Sequence, residues 1–124
     1  MLSEINFFKI LKLDKIEIGK IRATIRLNAE HEIFAGHFPE NPVTPGVASV
    51  QMISEILGFY LKKELFLESA SNIKYTAMIK PEITPEPIFE IKFEKINENR
   101  LKSTATVFKN EIVFLKFSGI FNSL

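Results

Sequence analysis

The residues best placed to do chemistry lie between Gly36 and Leu57. From Gly36 to Gly46 the chain reads Gly-His-Phe-Pro-Glu-Asn-Pro-Val-Thr-Pro-Gly, which holds one of the two histidines, three of the six prolines and two of the five glycines. An imidazole has an ordinary pKa of about 6.5, so His37 is able to take and return a proton near neutral pH. Prolines 39, 42 and 45 fix φ and restrict the residue before each, so the ring of His37 is expected to be held by a stiff loop. It serves there either as a base or as a structural histidine bonded to a loop carbonyl. The apolar run that follows predicts a helix over about Pro45–Lys63, with Thr44 as N-cap and Pro45 at the first helical position. Gly46 then lies at the positive end of that helix, where a glycine lets another backbone or a ligand approach the free N–H groups of the first turn.

The helix itself carries the second cluster. Val47, Ala48, Val50, Met52, Ile53, Ile56, Leu57, Phe59, Tyr60 and Leu61 leave little polar surface, so it is expected to be enclosed on nearly all sides. Ser49, Gln51, Ser54 and Glu55 are its polar groups, and Gln51 and Glu55, four apart, share a face. Buried amides and carboxylates need partners. These bond either to backbone or a dimer mate, or they face a reaction cavity. His31 has no comparable setting and reads as a surface residue.

Strands are expected around this helix. Ile21, Ala23, Ile25 and Leu27 alternate with charged or polar neighbours, the period of a half-buried strand. Residues 1–18 read as a short helix or strand leading into it. After a loop near Glu68–Ser71, alternation returns at Ile73, Tyr75, Ala77 and Ile79, and Pro81, Pro85 and Pro87 end that strand. Phe89, Ile91 and Phe93 mark the next. Asn97–Arg100 and Asn110 are turns, separating strands Leu101–Lys109 and Ile112–Phe121 in an antiparallel meander. A strand, a long enclosed helix and several antiparallel strands make an α+β fold, with one sheet around one helix. Because one sheet covers only part of such a helix and leaves open edges, a dimer is expected.

Composition narrows the function. At 124 residues the chain is expected to form a single domain spanning 1–124. Sixteen basic and fifteen acidic residues give a net charge of +1, which argues against a nucleic-acid surface. The absence of cysteine removes disulfides and thiolate metal sites, and two histidines do not make a transition-metal centre. No cofactor or metal is implied. No apolar run is long enough for a membrane span and no signal-peptide layout opens the chain, so a cytoplasmic location is the default.

The Gly36–Gly46 run resembles the GHFPxxPxxPG motif of the 3-hydroxyacyl-acyl-carrier-protein dehydratases, and the likeness extends more weakly over most of the chain. The resemblance implies the hot-dog fold, one antiparallel sheet wrapped around a long central helix. It also implies a homodimer, with larger assemblies of dimers known in the family, and active sites between subunits. The implied reaction removes water from a 3-hydroxyacyl thioester on the phosphopantetheine arm of an acyl carrier protein, in fatty-acid or polyketide and polyene synthesis. Three tasks follow from that chemistry: removing an α-proton, stabilising charge on the thioester oxygen, and protonating the departing hydroxyl. His37 matches the family base and the Gly46 N–H the oxyanion donor, a group worth about 3–4 kcal/mol where removed from other enzymes. The family's catalytic carboxylate falls at Gln51, which does not ionise near neutral pH.

Three resolutions remain open at Gln51. It orients a water while His37 handles both protons; or Glu55, about 6 Å further along the helix axis, supplies the carboxylate; or the site binds acyl thioesters without dehydrating them. Many relatives resemble a mirror of this pair, with carboxylate and glutamine exchanged. Phe34, Phe38, Met52, Ile56, Phe59, Met78 and Ile79 are expected either to line an acyl channel or to fill the core. Pro45, Val47 and Lys80 complete the expected substrate contacts, and Lys62, Lys63 and Lys74 with Lys80 offer charge to an acidic carrier. Thioester hydrolysis, enoyl hydration, or a non-catalytic acyl-binding subunit are the competing readings.

Overall fold

A computed structural model describes residues 1–35 and 43–123 of the chain. Its elements are β1 (Phe8–Glu17), β2 (Lys20–Leu27), a one-turn α1 (Glu32–Ala35), α2 (Gly46–Leu61), β3 (Leu65–Tyr75), β4 (Ile88–Asn97), β5 (Arg100–Lys109) and β6 (Ile112–Ser123). The six strands form one antiparallel sheet in the order β1-β2-β4-β5-β6-β3, against which α2 packs. This is the hot-dog arrangement expected from the sequence.

Side-chain rows crossing the sheet show why the alternation folds this way. Leu13, Ala23, Phe89, Val107, Leu115 and Tyr75 are successive cross-strand partners from one edge to the other. Ile21, Ile91, Ala105, Phe117 and Ile73 form the next row. Most of these residues are buried, and they join Met52, Ile53, Ile56 and Leu57 of α2 in one apolar cluster. Each fully buried aliphatic side chain contributes about 1.5–3 kcal/mol, so the rows and the inner face of α2 hold the fold together.

Three expectations change. Pro45, with φ −58° and ψ 140°, occupies the N-cap position and Gly46 begins the helix, while Thr44 makes no capping bond. Proline supplies no side-chain acceptor, and among the described residues no side chain caps that end and the buried Thr44 hydroxyl has no hydrogen-bond partner. The expected loop Glu68–Ser71 lies inside β3, which runs Leu65–Tyr75 and stops short of Ala77 and Ile79. The strand tolerates those polar residues because among the described residues it is a sheet edge with β6 as its only strand partner, with register shifts between Leu67 and Ser69 and between Ala70 and Asn72. Finally, α2 is not enclosed all round: Val47 is 80% exposed and Phe59 67% exposed.

Candidate active site

Gly36, His37, Phe38, Pro39, Glu40, Asn41 and Pro42 lie outside the described residues, so the expectations for His37 and Phe38 meet no geometry here. What the structure describes is the ground on either side. Upstream, α1 is tied back by His31. The Ile33 N–H donates to His31 Nδ1 at 3.1 Å, so the ring proton resides on Nε2, which donates to the Ile5 carbonyl at 2.9 Å. The ring meets Phe7 edge-on at 5.6 Å, and Phe7 stacks on Phe34 at 5.1 Å. His31 is therefore a half-buried latch rather than the surface residue expected. Two of its partners, Ile5 and Phe7, lie too far along the chain for local pattern to reveal.

Downstream, α2 opens with the N–H groups of Gly46 and Val47, which have no intrahelical acceptor by their position and no side-chain cap. A cavity of about 420 Å³ adjoins this end, lined by Val43, Gly46, Tyr75, Met78, Ile79 and Phe114 among others. Tyr75 ends one of the cross-strand rows described above, and its ring presses on the helix start. A Cβ on Gly46 would lie 2.7 Å from Tyr75 Cζ, so only glycine lets the ring and the first helical turn meet this closely. Tyr75 was legible as a strand residue only, because its contact with Gly46 depends on the sheet order.

Along α2, Val47, Gln51, Glu55 and Phe59 recur every four residues and form one stripe away from the apolar core. Gln51 is exposed, and its Nε2 donates to Glu55 Oε2 at 2.9 Å. The Glu55 side chain is almost fully buried. Leu2 N–H donates to Oε2 at 2.8 Å, and both the N–H and the hydroxyl of Ser3 donate to Oε1 at 2.9 Å. Four donors thus converge on one carboxylate, which offsets the cost of burying it without a cation. Beside this contact a second cavity, of about 900 Å³, is lined by Ser3, Leu13, Glu55, Phe59, Tyr60 and Lys62 among others.

The other expected site residues divide. Gly46, Val47, Met78 and Ile79 meet at the first cavity, and Glu55 and Phe59 at the second. Phe34, Met52 and Ile56 are fully buried core. Lys80 is half-buried and its carbonyl accepts from Ile83 and Thr84 N–H groups, fixing the turn after the cavity wall. Among the described residues no three acidic, histidine or cysteine side chains converge as a metal site requires, and no helix is long and apolar enough to cross a membrane. Leu2 and Ser3 were missed by sequence reasoning, since nothing local marks them as partners for a residue more than fifty positions away.

Comparison with known proteins bears on this geometry. Residues 14–116 match the family model of the ApeI-like dehydratases. A 3-hydroxyacyl-[acyl-carrier-protein] dehydratase FabZ from Fusobacterium nucleatum is 27% identical over 118 residues, covering 91% of this chain and 82% of that protein. The enzyme of the same name from Rickettsia massiliae is 29% identical over 107 residues, covering 80% and 72%. Among solved structures, the dehydratase heterocomplex ApeI:P from Xenorhabdus doucetiae superposes with a TM-score of 0.66 at 15% identity, covering 91% of this chain and 96% of that one. A putative thioesterase, yhdA from Lactococcus lactis, reaches 0.68 at 12% identity, covering 100% and 98%. At such identities the structural likeness speaks for the fold, and the sequence likeness for a dehydratase-type function. The matched residues run from within β1 into β6 and include all of α2, and the chain belongs to the ApeI-like dehydratase family.

Proposed function

We propose that this chain removes water from 3-hydroxyacyl thioesters carried on the phosphopantetheine arm of an acyl carrier protein, giving the trans-2-enoyl thioester for fatty-acid or polyketide-type synthesis. In this reading His37 takes the α-proton as the α C–H bond breaks, and the Gly46 N–H stabilises the negative charge that builds on the thioester oxygen. The C–O bond to the 3-hydroxyl then breaks and the C=C bond forms. The proton on the His37 imidazolium passes to the departing hydroxyl, which leaves as water. Gln51 holds that hydroxyl by hydrogen bonding, since an amide has no proton to transfer. In the same reading Glu55 acts through Gln51, whose amide it accepts along with the donors of Leu2 and Ser3.

The observation that carries this reading is the uncapped start of α2, with Gly46 beside an apolar cavity and directly after the His37 motif. Family membership supports it. A homodimer is part of the same proposal: the outer edge of β3 has no strand partner among the described residues, and Phe66, Leu67 and Tyr75 are exposed along that strand. Assay of a 3-hydroxyacyl-carrier-protein substrate tests the reading. His37→Ala is expected to lower kcat by roughly 10²–10⁴-fold. Release of free thiol would instead make the protein a thioesterase, and no turnover at any chain length would remove the enzymatic proposal.

A second reading follows from the motif resemblance, which puts Gln51 at the family's acidic position. The chain would then be the acyl-binding member of a heterocomplex with an active dehydratase; ApeI:P from Xenorhabdus doucetiae is itself a dehydratase heterocomplex. Co-purification with a second hot-dog chain, and activity only in the pair, is the expected outcome in that case.

A further inference from the structure

We propose that Leu2 and Ser3 belong to the active site: they hold Glu55, and Glu55 sets the orientation of the Gln51 amide, so that Ser3 and Glu55 are positioning residues for dehydration. The inference rests on the dehydratase reading for what Gln51 does, and on geometry for how Gln51 is held.

An exposed glutamine ordinarily samples several rotamers about its flexible side chain. Here one end is fixed, 2.9 Å from Glu55 Oε2. That end is the amide nitrogen, because a carboxylate that is already an acceptor for three other donors offers nothing to a carbonyl oxygen. The pinned amide is left with Oε1 and one N–H to present outward. A donor bonded to a carboxylate is polarised, which strengthens the acceptor at the other end of the same amide. Gln51 Oε1 is therefore suited to accept the O–H of the substrate's 3-hydroxyl.

Glu55 cannot swing away to release this arrangement. Oε2 is shared by the Leu2 N–H and Gln51, and Oε1 by the N–H and hydroxyl of Ser3. Only 5% of the residue is exposed. None of the ion pairs among the described residues includes Glu55, so the carboxylate is held by aimed neutral donors rather than by a mobile cation. Three of the four donors come from a segment outside α2. The N-terminal residues thus do for Gln51 what a supporting shell does for a metal ligand: they fix the tautomer-like choice of which end faces the substrate.

The test compares wild type, Ser3→Ala, Ser3→Thr and Glu55→Gln in two measurements: steady-state kinetics on a 3-hydroxyacyl-pantetheine thioester, and the side-chain amide resonances of Gln51 in ¹⁵N-labelled protein. Ser3→Ala removes one donor and leaves the backbone contacts, and is expected to lower kcat about tenfold with KM within about twofold. Ser3→Thr restores the hydroxyl and recovers most of that loss. Glu55→Gln is expected to lower kcat about 100-fold, the cost of misplacing a reacting group by about 1 Å. In both damaged variants the Gln51 amide pair moves toward the positions of a free glutamine. Wild-type kcat in Ser3→Ala, or a loss that Ser3→Thr does not recover, overturns the proposal. A wild type without turnover removes the dehydratase reading instead. The resonances then decide the clamp by themselves: a Gln51 pair released by Ser3→Ala upholds it, and a pair indifferent to Ser3 overturns it.

Discussion

The two sides of α2 are built on different physics. Toward the sheet, Met52, Ile53, Ile56 and Leu57 are completely buried in one apolar cluster. Away from it, Val47, Gln51 and Phe59 are exposed and Glu55 is a single buried carboxylate among them. The inner side gains its stability from area removed from water, which is non-directional and tolerates similar shapes. The outer stripe has little area to bury and depends on four hydrogen bonds aimed at one residue. Patterning alone specifies the first side, whereas the second requires particular atoms from a distant part of the chain.

The largest effect that breaks this contrast is expected on the inner side. Ile56→Ala leaves a cavity in the core and should cost about 2–5 kcal/mol in urea unfolding. On the outer stripe, Glu55→Ala strands the N–H groups of Leu2 and Ser3 and the Gln51 amide, and should cost about 1–3 kcal/mol. Because those donors are neutral, the loss should be nearly the same at low and high salt. If Glu55→Ala equalled or exceeded Ile56→Ala, the division between the two sides would fail.

A surface carboxylate sharpens the point. Glu90 bonds Arg22 at 2.8 Å and Lys20 at 3.2 Å. The Arg22 hydrogen bond, helped by Lys20 and opposed by partial burial, holds its pKa below the ordinary carboxylate value. A folded pKa below the unfolded one means stability that is present above the unfolded pKa and lost as pH falls through the folded pKa. Glu90→Gln should therefore cost less than about 1 kcal/mol near pH 7 and flatten the decline of stability in acid, with the difference shrinking in salt. The smallest effect belongs to Val47→Ala, within about 0.5 kcal/mol for the isolated chain because the side chain is already in water. A larger loss, dependent on protein concentration, would show that a second copy covers the stripe.

The same contrast explains what could be read from the sequence. The alternation of Ile21, Ala23, Ile25 and Leu27, and of Phe89 and Ile91, reports burial directly, so β2, β4 and the meander were legible. So was α2 to within two residues at either end. β3 was read too late in the chain because Ser69, Ser71 and Asn72 look like a loop, yet an edge strand needs no buried face to form. The capping position went to Pro45 because the helix starts one residue later than proline's usual place inside it. At the site, Gln51 and Glu55 were legible as a pair on one face. The Leu2, Ser3, Ile5 and Tyr75 contacts were not, since each joins residues brought together only by the completed fold.

The order of strands has a consequence for how this chain is made. β3 emerges before β4, yet among the described residues its only strand partner is β6, whose last residue is Ser123. Throughout synthesis of the intervening segment, Phe66, Leu67, Ile73 and Tyr75 wait on a strand that has α2 to pack against but no strand partner. The nascent molecule must therefore carry an adhesive, half-finished sheet until β6 arrives, and a ribosome stalled before β6 would release a product prone to cling to others like itself.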